Sequence, residues 1–130
     1  MGSIHFRVPY ETEIMMAIII VEKAVSKKQL GCIAREYYED MIKGVVDIQR
    51  EIIALGGEMH ADAEEVLLKD GSRQPDLWGF NILLDEDADH CLVYESFINI
   101  RPRNGNRDIR VEDPGLRERM REIIFKWVDL

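Results

Sequence analysis

The chain has 130 residues, of which 46% are hydrophobic and 32% charged, and its formal net charge is −8 at pH 7. This length predicts one domain with a single core, and the acidity argues against general nucleic-acid binding, which needs a broad positive surface. No apolar run is long enough to span a bilayer. The two cysteines, Cys32 and Cys91, form no C-x-x-C motif, so we expect a cytoplasmic protein with free thiols.

The N-terminal part predicts an arm followed by a strand. Residues 1–15 alternate poorly, include Pro9 and lack the basic and apolar order of a signal peptide. We therefore expect a flexible arm there and a single domain over residues 16–130. Residues 17–21 form a largely β-branched run, which is typical of a strand buried on both faces.

A long amphipathic helix is predicted next. Ser26 is a suitable N-terminal cap, and apolar residues follow at three- and four-residue steps over residues 30–52. Gly56-Gly57 is a typical C-terminal signal. Because this pattern is long for a globular helix, a break near residues 38–40 is the alternative.

The second half predicts three strands and a terminal helix. We expect strands over residues 58–68, 77–84 and 93–101, separated by turn and loop residues. Asp113-Pro114 provides a helix cap and a proline at the first helical position. The resulting order, β-α-β-β-β-α, indicates an α+β domain of two layers, with a mostly antiparallel sheet and the helices on one face.

Unusual polar residues recur on one face of the three predicted strands. Side chains alternate across a strand, so His60 and Asp62 share a face, as do Asn99 and Arg101. If the apolar faces meet the helices, these four residues converge with Asn81, and a glycine in the middle strand leaves room for a ligand. The alternative is a simply solvated face, which antiparallel sheets often have.

A metal site is one interpretation of these polar residues, because imidazole and carboxylate groups suit zinc, manganese or iron. His60 and Asp62 supply two ligands, and Asp40, Asp47 and Glu51 would supply further oxygens from one edge of the predicted long helix. A divalent metal ion is therefore a candidate cofactor. The alternative is that the carboxylates form the polar flank of a helix and that His60 is a hydrogen-bonded structural residue.

The most basic stretch, residues 99–110, carries four arginines against one aspartate on an acidic chain. Guanidinium groups and the amides of left-handed turns bind phosphate and carboxylate, so this stretch predicts an anion site. The predicted ligand-binding residues are Asn81, Asn99, Arg101, Arg103, Asn104 and Arg107.

The same arginines also have a structural interpretation. They would pair with Glu58, Asp62 or the acidic loop at residues 85–89, either within the chain or across a homodimer interface. The acidic loop lacks the glycine and the terminal glutamate of a calcium-binding loop, so we interpret it as solvated.

Five short motifs occur along the chain: HAD at 60–62, DLWG at 76–79, INIRP at 98–102, NR at 106–107 and VEDP at 111–114. This pattern resembles that of a small, uncharacterised prokaryotic family, classified only as a domain of unknown function. The likeness runs from about residue 17 to residue 127. The resemblance implies one compact cytoplasmic domain and supplies no activity, substrate or catalytic residue.

Two classes of function fit these observations. The first is a small anion- or phosphate-binding domain, in its most specific form a metal-assisted phosphoester hydrolase with His60 and Asp62 as acid/base groups or metal ligands. The alternative is a non-catalytic homodimeric interaction module whose Arg/Asp network is structural. A third hypothesis, stacking of an RNA end on Trp78 and Phe97, is disfavoured by the overall acidity. No membrane partner is expected.

Overall fold

The computed structural model describes residues 18–130. Its strands are β1 (Ile19–Ile20), β2 (Met41–Asp47), β3 (Ile52–Leu55), β4 (Leu77–Leu83) and β5 (Leu92–Val93), and its helices are α1 (Lys27–Ala34), α2 (His60–Lys69) and α3 (Pro114–Trp127). The strands form one antiparallel sheet in the order β1-β3-β2-β4-β5. The predicted α+β class is confirmed. The predicted arm over residues 1–15 lies outside the described residues.

Helices cover both faces of this sheet. Helices α1 and α3 pack on the face that contains Val46 and Phe80. Helix α2 packs Leu67 against Val45 and Leu77 on the opposite face, since neighbouring residues of a strand point to opposite sides. The predictions of helices on one face and of the order β-α-β-β-β-α are therefore wrong, because they did not include α2 and its position between β3 and β4.

The predicted long helix over residues 30–52 is instead helix α1 followed by the hairpin β2–β3. The break falls at residues 35–40, where Glu39 has a left-handed φ of 66°, close to the predicted alternative. The error has a geometric cause. Residues four apart, such as Met41 and Val45, share a face in a strand as well as in a helix, so a stripe of such pairs fits both.

The predicted strand over residues 58–68 is also wrong, because His60–Lys69 is helix α2. Its buried residues are His60, Ala63 and Leu67, and their spacing of three and four is that of a helix. The alternation of His60, Asp62 and Glu64 suggested a strand, but in α2 Asp62 lies about 200° around the helix axis from His60 and from Glu64.

Only the beginning of the predicted strand over residues 93–101 is part of the sheet. Strand β5 has two residues, and short 3-10 turns follow at Phe97–Asn99 and Pro102–Asn104. The prediction that Gly56-Gly57 ends a helix is wrong, because these glycines follow strand β3. Three other local predictions are confirmed. Ser26 caps α1, β4 lies where a strand is expected, and the Asp113 carboxylate caps α3 with Pro114 in its first turn. Within residues 18–130 no helix has the length and apolar character needed to cross a membrane.

Candidate functional site

Asn99 lies at the centre of the predicted polar surface and is fully buried. Its side-chain oxygen accepts a hydrogen bond from Gly79 N–H at 2.8 Å, and its amide nitrogen donates to the carbonyls of Gly79 and Ile109, both at 3.1 Å. The Asn99 side chain therefore takes the place of a neighbouring strand beside β4, where β5 has already ended. All three of these hydrogen bonds are to main-chain atoms of the protein, so the Asn99 side chain is engaged within the fold and does not bind a ligand.

Gly79 does not leave open space above the sheet. A Cβ atom added to it would lie 2.5 Å from Cβ of Ser96 and 3.3 Å from Cδ2 of His60. The glycine thus allows Ser96 and His60 to pack directly against the β4 backbone. The room that the sequence predicted for a ligand is filled by the protein itself.

Arg101 is half-buried and its guanidinium is held by main-chain oxygens. It donates to the carbonyls of Ile98 at 3.0 Å and Gln74 at 2.8 Å, and to that of Leu77. The guanidinium carbon also lies 4.6 Å from the centre of the Trp78 ring, a cation–π contact. Burial lowers the pKa of Arg101, and the nearby Glu64 carboxylate opposes that shift. This arginine joins two loops to the start of β4.

Asn106 fixes the rest of the loop. It is 4% exposed, and its amide nitrogen donates to the carbonyls of Asn99, Asp108 and Arg110 while its oxygen accepts from Glu112 N–H. The preceding residue, Gly105, has a φ of 81°, a left-handed conformation that favours glycine. We call residues 101–107 the arginine loop. Its irregular backbone is fixed by these side-chain hydrogen bonds together with a short antiparallel bridge between Arg101 and Asn106.

Arg103 and Arg107 project from this fixed loop and are exposed. Among the described residues, no carboxylate lies within 4.0 Å of either guanidinium. Asn104 is exposed as well, and its side chain donates to the carbonyl of Pro75 at 3.4 Å. The predicted anion ligands therefore divide into two groups, with Asn99 and Arg101 engaged inside the fold and Arg103 and Arg107 presented outside it.

The two predicted catalytic residues do not form a pair. His60 is buried and its Nε2 lies 2.9 Å from the carbonyl oxygen of Phe80, whereas Asp62 is exposed and accepts from Met59 N–H at the start of α2. Two residues apart in a helix means about 200° of rotation. The predicted shared strand face is therefore absent, although the structure does place His60 beside Asn81, whose amide donates to the Glu95 carbonyl.

The environment of His60 predicts acid sensitivity. Burial lowers the pKa of His60 below its ordinary 6.5, the Phe80 carbonyl opposes this shift, and Lys43 adds to it. The unfolded chain therefore binds the proton more readily than the folded one, and stability should fall as pH drops below about 6.5. His60→Gln should flatten that fall, measured by urea unfolding between pH 5 and pH 7.

His90→Gln is the matched control, because the exposed His90 has its pKa raised by Asp87. A raised pKa contributes stability that is present at low pH and lost as pH rises. His90→Gln should therefore not reduce the loss of stability that is measured as the pH falls. An unchanged pH profile in His60→Gln would contradict the assignment.

The predicted row of carboxylates for a metal site is also wrong. Asp40 precedes β2 and Asp47 ends it, which places them about 20 Å apart along an extended strand. Asp47 is buried and accepts from the N–H groups of Gln49 and Arg50, and Glu51 pairs with Arg119 and Lys126. Over residues 18–130 no three histidine, cysteine, aspartate or glutamate residues are grouped so as to hold a metal ion.

Sequence reasoning missed a groove at the opposite end of β4. Its volume is 260 Å³, and it is lined by Tyr38, Asp40, Met41, Leu83, Asp85 and Glu86. We call it the acidic groove. The signal for it was present in the acidic loop, which we interpreted as solvated, but the apolar floor is formed only when β2 and β4 pair Met41 with Leu83.

Comparison with known proteins provides a family and no activity. No curated protein and no solved structure matches the chain. One family model, described as "Protein of unknown function (DUF5674)", matches residues 19–127. The match extends from β1 to the last residue of α3, so that it includes the whole sheet, the arginine loop and the acidic groove. The chain therefore belongs to the DUF5674 family of proteins of unknown function.

Proposed function

We propose that this protein is a non-catalytic binding module whose arginine loop binds the carboxylate or phosphate groups of an acidic partner. The observation that carries the proposal is that some polar residues in and beside the loop are bonded within the fold while two of its arginines are exposed. Asn99, Arg101 and Asn106 make three, three and four hydrogen bonds, all to main-chain atoms. Arg103, between Arg101 and Asn106, and Arg107, directly after Asn106, remain exposed.

A fixed loop favours binding because little conformational entropy remains to be lost when a ligand arrives. The arginine side chain adds a planar set of donors that match carboxylate and phosphate oxygens. Such donors are most effective when their backbone is held in place, and here Gly105 and Asn106 lie directly between the two exposed arginines. Rigid loops that carry exposed charged residues are frequent binding sites.

A binding role is supported better than hydrolysis because the proposed acid/base residues have other partners. Nε2 of His60 is engaged with the Phe80 carbonyl, and Asp62 caps α2. The guanidinium that was expected to hold the anion beside them, that of Arg101, is directed at three carbonyl oxygens. A general acid or base must reach its substrate, and the filled space over Gly79 leaves His60 without that access.

The experiment is a titration of a fluorescein-labelled hexaglutamate peptide, followed by anisotropy at low ionic strength. Arg103→Gln/Arg107→Gln should weaken binding at least tenfold, which corresponds to about 1.4 kcal/mol. Lys27→Gln/Lys28→Gln is the matched control, because these exposed lysines lie in α1 and their loss changes the net charge equally. It should leave the affinity nearly unchanged.

Two outcomes would overturn the proposal. Equal weakening in both double variants would mean that the peptide responds only to net charge. Unaltered binding in Arg103→Gln/Arg107→Gln would place the anion elsewhere. Repeating the titration with inorganic tripolyphosphate separates carboxylate from phosphate recognition, because the same substitutions apply to both probes.

A further inference from the structure

The arginine loop and the acidic groove lie at opposite ends of β4. Arg101 donates to the carbonyl of Leu77, the first residue of the strand, and Asn104 reaches Pro75 just before it. The groove contains Leu83, the last residue of the strand. At about 3.4 Å per residue the two features are roughly 20 Å apart. The exposed arginines and the acidic groove therefore lie near opposite ends of one strand.

The acidic groove has the chemistry to accept an arginine side chain. Met41 and Leu83 form an apolar floor for the methylene stem, and Tyr38 provides an aromatic wall. Apolar surface of this kind suits the stem of arginine, whose charged head then seeks carboxylates. Lys43 already lies over the Tyr38 ring, with Nζ 5.3 Å from its centre, so the incoming guanidinium pairs with the carboxylates.

Those carboxylates differ from their neighbours in the acidic loop. Asp87 pairs with His90 at 2.7 Å, and Asp89 lies 3.9 Å from Arg121. By contrast Asp40, Asp85 and Glu86 have no cationic group within 4.0 Å among residues 18–130. Three acids that form no ion pair therefore line the groove, and two arginines that form none lie on the loop at the other end of the same strand.

We infer that the acidic partner of the arginine loop is a second copy of this chain, whose acidic groove receives Arg103 or Arg107. This inference rests on the proposed function and specifies the partner. The charge complementarity of the two surfaces supports it. Two copies with antiparallel β4 strands form both loop–groove contacts at once, as a twofold dimer requires when residue i meets j and j meets i.

A charge swap tests this inference directly. The loop-reversed variant is Arg103→Glu/Arg107→Glu, and the groove-reversed variant is Asp85→Lys/Glu86→Lys. All four residues are exposed, so both variants should fold, which urea unfolding verifies. Sedimentation is measured over a wide range of protein concentration at about 10 mM ionic strength. The Debye length is then roughly 30 Å, so charges on the two surfaces still attract each other across the interface.

The wild-type chain should sediment as a dimer under conditions where each reversed variant alone is a monomer. An equimolar mixture of the two variants should sediment as a dimer again, because the reversed loop faces the reversed groove. Lys27→Glu/Lys28→Glu carries the same charge change as the loop reversal at exposed positions in α1. This control should remain a dimer.

The results separate this inference from the proposed function. If the wild type is monomeric while hexaglutamate binding still depends on Arg103 and Arg107, the second copy is the wrong partner and the proposed binding function is retained. If hexaglutamate binding is also independent of those arginines, both this inference and the proposed function are wrong. A dimer that neither reversal disturbs would place the interface elsewhere, and a mass that grows beyond the dimer would overturn the twofold arrangement.

Discussion

Asn99→Ala is expected to lower the free energy of unfolding by about 3 kcal/mol. The substitution removes two buried hydrogen bonds and one partly buried one, and it leaves the Gly79 N–H and two carbonyls without their partner. A buried polar group without a partner costs about 1 to 3 kcal/mol, and the missing side chain also leaves a cavity beside β4. Urea unfolding measures the effect.

Asn104→Ala is the matched control for this prediction. Asn104 is exposed on the same loop and makes one long side-chain hydrogen bond of 3.4 Å, so its removal should change stability by less than about 0.5 kcal/mol. Equal effects at the two positions would contradict the structural role of Asn99. Asn99→Asp should also destabilise strongly, because a carboxylate cannot donate to the carbonyls of Gly79 and Ile109.

Gly44→Ala is expected to destabilise the protein by about 2 to 3 kcal/mol. An added Cβ would lie 2.5 Å from Cζ of Phe80 and 2.9 Å from two further ring atoms. Phe80 is fully buried in the larger core cluster, and a packed interior has little free space for its ring to move into. Overpacking of this kind typically costs about 1 to 3 kcal/mol.

A Gly→Ala substitution in a helix should change the free energy of unfolding in the opposite direction. The nearest atom to a Cβ on Gly31, in α1, is Nη1 of Arg35 at 3.7 Å. Gly31→Ala should therefore stabilise the protein by about 0.5 to 1 kcal/mol, because alanine favours helix and glycine does not. In Gly44→Ala/Phe80→Leu the smaller side chain relieves the overlap, so the double variant should be less destabilised than the two single variants predict by addition. A neutral Gly44→Ala would refute the close contact.

Local signals at the N-termini of helices predicted the fold well, whereas the Gly56-Gly57 helix-end signal and the apolar periodicity of residues 30–52 did not. Ser26 and Asp113 cap helices as expected because their side chains act on backbone groups only a few residues away. The hairpin β2–β3 was mistaken for helix because residues such as Met41 and Val45 satisfy both periods. Tertiary pairing with β4, which the local sequence does not contain, decides between them.

The basic character of the candidate site could be predicted, but the distribution of its roles could not. Four arginines within residues 99–110 correctly marked an unusual loop. The partners of Arg101, however, are main-chain carbonyls of Gln74, Leu77 and Ile98, and every residue has a carbonyl, so the sequence offers no sign of which ones will be free. In the same way, no sequence pattern predicts that the Asn99 side chain will take the place of a strand beside β4.

We propose that one loop contains internal arginine and asparagine supports and an external anion site. The most direct test of this proposal is the hexaglutamate titration followed by two-dimensional amide NMR of the full chain. We expect the shift changes to concentrate at residues 103–107, with residues 60–62 and Asn81 unaffected. Shift changes centred on His60 and Asn81 would contradict an anion site on the arginine loop and would favour the site predicted from the polar strand face.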